Sequence, residues 1–207
     1  MSPHLLRWAG YGLFAFIPLV LWLLVAHPEP IGGSLGLAIG LMIGHRFLAI
    51  PYRDRVKARK CLWCNRMPLP VNDVPVLLTT RAGDVVEARA CARHEASLRR
   101  FFGFLVRFRA PLALGIFVPL LVLVGALGAS ALGWSAPLER FVALFQLTIG
   151  LTVSLAAWGY RWQSPTADLG PVAFPVHNFF LLGVRSLVWI FRIVGAVWVV
   201  RGAGLLP

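Results

Sequence analysis

Acidic residues are scarce in this chain: eight Asp and Glu stand against 20 Lys and Arg in 207 residues. None of the eight falls inside the long apolar runs. Proton-coupled pumps and cation exchangers use carboxylates within the membrane, so that absence counts against both. Charge of either sign is also low, at 14%, while 58% of residues are hydrophobic and the mean hydropathy is +0.76. A water-exposed globule needs more charge than this to cover its surface. Cysteine is limited to three, too few for a secreted disulfide framework, and two of them form a C-x-x-C beside basic residues. That pattern points to a metal site facing a reducing compartment. Missing too are a phosphate-cradling glycine loop followed by Lys-Ser/Thr and a nucleophile with a matching base, so no enzyme is expected.

What is present is apolar sequence in blocks long enough to cross a bilayer, which takes about 20 helical residues. Spans are expected over residues 5–26, 31–50, 110–133 and 141–160. The first has no small-residue cleavage site after it and reads as a retained helix. In the second, Gly36, Gly40 and Gly44 recur every fourth residue and stack on one face, where another helix backbone can approach closely. His45, at the end of that run, reads as an interfacial residue. The polar groups Gln146, Thr148, Thr152 and Ser154 in the fourth run are explained by helix–helix hydrogen bonds.

The last apolar run, 179–200, carries Arg185 and Arg192 seven apart, on one face with Asn178. As a fifth span it buries Arg192 near mid-membrane, at about 2.5–3.5 kcal/mol on insertion scales. As a helix in the interfacial plane both arginines meet headgroups at little cost, and this in-plane placement is the expectation.

Residues 53–109 form the one sizeable hydrophilic stretch and hold thirteen Lys and Arg, whereas the turns at 27–30 and 134–140 hold one between them, Arg140. The positive-inside rule then places the N-terminus and this stretch in the cytoplasm, with an integral protein of a bacterial inner membrane as the setting. The expected organisation is a first membrane hairpin (1–52), a cytoplasmic metal-binding domain with a basic amphipathic helix (53–110), a second hairpin (111–161), and a loop with the C-terminal helix (162–207). The fold class is an all-α polytopic membrane protein with an inserted small metal domain. The two hairpins also share short matches: Phe16–Val20 with Phe117–Leu121, and Leu37–Leu41 with Leu147–Leu151. They fit a parallel repeat with a shared proline, Pro18 and Pro119, and equally a chance likeness between apolar segments.

Cys61-Leu62-Trp63-Cys64 is followed, after 26 residues, by Cys91-Ala92-Arg93-His94. Two close pairs of soft and borderline ligands suit a tetrahedral zinc ion with every position filled by protein. Between them, 74–80 reads as a strand, 81–84 as a turn and 85–90 as a second strand, and a helical pattern starts at Ala92. This order of knuckle, hairpin and helix resembles a treble-clef zinc finger over residues 61–100. That likeness implies a structural module and no set activity. Four protein ligands leave no position for water or substrate, so the zinc is expected to be structural. A domain of about 40 residues has too small a core to fold alone, and the metal supplies the difference. Asn65 is expected to cap or hydrogen-bond the knuckle. Redox sensing is the other use of such thiols, favoured by the basic Arg59, Lys60 and Arg66.

Two basic clusters read as anchors on anionic headgroups. One is Arg53, Arg55, Lys57, Arg59 and Lys60; the other is Arg93, Arg100 and Arg107, every seven residues on a helix whose other face carries Leu98, Phe101, Phe102 and Leu105. Arg185 and Arg192 are expected to face headgroups likewise. No RNA or DNA module is recognisable, so nucleic acid is not an expected partner. Two functions remain: a non-catalytic scaffold or accessory subunit joined to other membrane subunits or to itself, and a small oligomeric channel or transporter whose last arginines select anions.

Overall fold

The computed structural model describes Leu5, Trp8, Ala9, Gly12, Phe47 and residues 50–205 other than 81, 82, 136, 166–168 and 173–175. The expected spans over 5–26 and 31–50 fall almost wholly outside the described residues. So do Gly36, Gly40, Gly44, His45 and the first half of the internal repeat.

The described elements are α1 (Ile50–Val56), β1 (Asp73–Thr79), β2 (Val85–Cys91), α2 (Ala92–Arg107), α3 (Arg109–Ala131), α4 (Leu138–Gly159), α5 (Val176–Leu182) and α6 (Val184–Leu205), with a 3-10 turn at Tyr160–Trp162 after α4. The chain divides into two compact units. One is Met1–Leu98 with Phe174–Ser186, the other Arg99–Ala173 with Leu187–Pro207.

In the first unit β1 and β2 pair antiparallel, from Asp73 opposite Cys91 to Thr79 opposite Val85. Side chains alternate as a half-buried sheet requires: Val76, Leu78, Val86, Ala88 and Ala90 are buried, while Leu77 and Val85 are exposed. Gly83, at φ +92°, takes the left-handed position of the turn, and its N–H donates to the Thr80 carbonyl at 3.0 Å. No loop separates β2 from α2. Cys91 ends the strand and Ala92 opens the helix, which leaves His94 in the first helical turn.

The second unit is built on long apolar helices. Among the described residues, Arg109–Ser130, Leu138–Trp162 and Val184–Gly204 are long and apolar enough to cross a membrane. Exposed Leu114, Phe117, Leu121 and Val124 on α3 are consistent with a lipid surround. Helix α3 continues through Pro119 and packs on α4 where Gly115 meets Thr152. Thr152 donates its hydroxyl to the Thr148 carbonyl within α4 at 2.8 Å, which satisfies that polar group inside the helix.

Helix α6 runs antiparallel along α4, on a seam of small residues. A Cβ added at Gly202 would come within 2.7 Å of the Leu147 nitrogen and 2.8 Å of the Ala143 carbonyl. One added at Gly150 would come within 2.9 Å of the Val199 nitrogen. Such backbone-to-backbone approach is possible only without side chains, and it maximises dispersion contacts where lipid offers no hydrophobic drive. Among the described residues, Gly150 of α4 and Gly195 and Gly202 of α6 line this seam.

Two expectations need correction here. The run 179–200 is not one helix: α5 ends at Leu182, Gly183 sits at φ +80°, and α6 starts at Val184. A left-handed residue cannot continue a right-handed helix, and glycine takes that conformation without a Cβ clash. The aromatic face of α2 does not lie open to a leaflet either. Phe101, Phe102, Phe104 and Leu105 are buried, with Phe101 edge-on to Tyr160 at 5.7 Å. Phe104 covers Gly159, where an added Cβ would meet its ring at 2.7 Å.

Candidate metal centre

Cys61, Cys64, Cys91 and His94 converge so that their ligand atoms all lie within 4.8 Å of one another. The backbone builds this cluster in three steps. The knuckle closes on itself through the Cys61 N–H to the Arg66 carbonyl (3.0 Å) and the Asn65 N–H to the Cys61 carbonyl (2.9 Å). It is then fastened to β2, since Cys61 bridges Arg89 and the Leu62 N–H donates to the Arg89 carbonyl at 2.9 Å. Finally the direct passage from β2 into α2 brings Cys91 and His94 alongside. The Cys91 N–H donates to Cys61 Sγ at 3.3 Å, and His94 Nδ1 stands 3.8 Å from the same sulfur. In a tetrahedral zinc shell that sulfur–nitrogen separation is about 3.5 Å, so little movement is needed to close on an ion.

The electrostatics favour a cation. The Cys64 side chain, hydrogen-bonded to Cys61, holds the Cys61 thiol at about 4, helped by the backbone N–H groups of Cys64 and Cys91 and by His94, against the opposing effect of burial. The same bond to Cys61 and burial push the Cys64 thiol up, and burial pushes Cys91 up. One thiolate forms readily. Three together in so small a volume need a positive ion between them. The cluster of three cysteines and one histidine could hold a metal ion, with no fifth protein donor required.

Asn65 hydrogen-bonds the knuckle as expected, but through its backbone and not its side chain. Its side chain is 1% exposed, and neither its amide oxygen nor its amide nitrogen finds a hydrogen-bond partner. What serves the knuckle is its backbone: φ is +60°, a left-handed position that Asn tolerates better than most residues, and its N–H closes the turn.

The residues expected as headgroup anchors separate into groups. Arg55, Arg59, Arg93, Arg107 and Arg185 are exposed. Arg53 and Lys57 flank Asp54, at 2.7 and 3.7 Å, and Arg100 is half-buried with its Nε unpartnered. Lys60 and Arg192 are corrections, because both are buried and neither faces a headgroup. Lys60 Nζ donates to the Phe180 carbonyl, one of the last carbonyls of α5 that lacks an acceptor role within the helix, and sits 5.4 Å from the Tyr52 ring centre. Arg192 donates through Nε and a terminal nitrogen to the Ala157 carbonyl, at 3.2 and 3.1 Å, near the C-terminus of α4. A cation there satisfies an orphan carbonyl and meets the negative end of the helix dipole.

The knuckle also touches the helix break at Gly183. The Val184 N–H donates to the Leu62 carbonyl at 2.8 Å and the Arg185 N–H to the Trp63 carbonyl at 2.9 Å. Sequence reading missed this contact. Its one available signal was Gly183, the first of two glycines in the apolar run 179–200. Compared with family models, with curated proteins and with solved structures, the chain finds no match.

Proposed function

We propose that this protein is a non-catalytic membrane scaffold or accessory subunit, anchored by its apolar helices and carrying a structural zinc site of treble-clef type on its cytoplasmic side. The observation that carries the reading is the convergence of four protein donors into one shell. A filled tetrahedral shell suits zinc and leaves no open position for the water or substrate that a catalytic zinc requires. A knuckle, a two-stranded hairpin and a helix starting at the second ligand pair support the treble-clef likeness.

On this reading α6 crosses the membrane beside α4, because a helix packed antiparallel along a spanning neighbour shares its direction. That replaces the in-plane placement. The charge of Arg192 does not oppose it, since Ala157 and the flanking indoles solvate the guanidinium one turn from the end of α4. Other membrane subunits are the proposed partners, with exposed Trp134 and Trp162 at helix ends as contact points. An anion channel lined by Arg185 and Arg192 gains less support, because Arg192 is committed to a helix terminus.

Affinity purification from native membranes tests the proposal. A partner subunit recovered in fixed stoichiometry is expected. Solute or ion movement by the pure protein in liposomes would overturn the scaffold reading.

A further inference from the structure

The residues between the first two cysteines do more than hold a metal. Gly183 breaks the helical run, so the first N–H groups of α6 have no carbonyl within their own helix to bond to. Leu62 and Trp63, the two residues between Cys61 and Cys64, supply those carbonyls to Val184 and Arg185. Just before them Lys60, buried, supplies a donor to the Phe180 carbonyl at the end of α5. Three of the four residues 60–63, namely Lys60, Leu62 and Trp63, thus serve both broken helix ends. The fit is close on the other side too: a Cβ at Gly183 would lie 3.1 Å from the Asn65 nitrogen and from the Trp63 carbonyl oxygen.

We propose that the metal centre is a clasp for the C-terminal helix: the loaded knuckle holds the α5–Gly183–α6 break, and loss of the metal releases the first turn of α6. This rests on the metal reading above. The two carbonyls point correctly only while the C-L-W-C loop keeps its knuckle shape, which metal bonds to Cys61 and Cys64 maintain. Without the ion, three crowded thiols hold that loop weakly, and the amides it caps lose their acceptors. A change in zinc supply or thiol oxidation at the knuckle is thereby transmitted to the last apolar helix.

The amides of Val184 and Arg185 report this directly, because their protection cannot come from the helix they begin. Hydrogen exchange is measured on the full chain in lipid nanodiscs, before and after a chelator, with zinc content followed in the same samples. Removal of zinc is expected to speed exchange at Val184 and Arg185 by at least about tenfold, together with Cys61–Asn65, as local opening of one unit requires. Re-adding zinc restores protection. If zinc leaves and the knuckle loosens while Val184 and Arg185 stay protected, the clasp is wrong and the zinc site stands. If the purified protein never binds zinc, the metal reading fails and takes the clasp with it. Gly183→Val provides the reverse arm, since it strains the left-handed position and crowds Asn65: zinc should stay bound while both amides exchange faster. Unchanged exchange in that variant also overturns the clasp.

Discussion

The guanidinium of Arg192 stacks on the indole of Trp158, 4.0 Å from carbon to ring centre. Trp189 covers it at 5.1 Å, and the Ala157 carbonyl takes two of its N–H groups. An arginine inside an apolar helix is thereby converted from an insertion cost into a terminal cap for its neighbour. Cation–π attraction is strongest where water is excluded, and guanidinium stacks on indole better than ammonium does.

Arg192→Lys therefore should not be conservative. It keeps the charge but loses the planar fork and the stacking face. We expect thermal unfolding in detergent to show a loss of about 1–3 kcal/mol, the range for an imperfectly satisfied buried polar group. Arg192→Leu should insert more easily yet unfold earlier, because the Ala157 carbonyl is left without a donor. Unchanged melting for both variants would show that the contact carries no stability.

Along the α4–α6 seam the prediction concerns size alone. Gly202→Leu and Gly150→Leu should each cost about 1–3 kcal/mol or force the helices apart, as overpacking does. Gly125→Leu is the control, since space around that glycine in α3 is open. Equal effects at all three positions would contradict the packing.

The metal site makes a compositional prediction. Elemental analysis should find about one zinc per chain, and Cys64→Ser should lose most of it, as a structural shell missing one thiolate does. Amide exchange across β1 and β2 should rise in that variant, because the knuckle is tied to β2 through Arg89. A zinc-free hairpin that stays fully protected would refute a structural role for the metal.

Topology is read by labelling. With zinc bound, Ser135→Cys should react with an impermeant thiol reagent added outside intact cells, and Asn72→Cys should react only after permeabilisation. The opposite pattern would reverse the orientation drawn from the thirteen basic residues between 53 and 109.

Sequence alone determined those parts that rest on local periodicity and ligand chemistry. The apolar lengths of α3 and α4 are set by hydropathy and appear within a few residues of expectation. Strand alternation between 73 and 91 and the two ligand pairs were legible for the same reason, since period and spacing are properties of the chain itself. Tertiary structure decided everything that depends on which surface covers which. Lys60 stands in a run of cations with nothing in its spacing or neighbours to set it apart from exposed Arg55 and Arg59, and the apolar neighbours of Arg192 name no partner for it. Only packing against Phe180 and Ala157 turned them inward to cap helix ends. The α4–α6 seam is likewise a matter of partner: Gly195 and Gly202 lie seven apart on one face of α6, but only its antiparallel packing sets them against Gly150 and against Ala143 and Leu147 of α4. A glycine in an apolar run can be a contact, a kink or a break, and for Gly183 it was the carbonyls of Leu62 and Trp63 that made it a break.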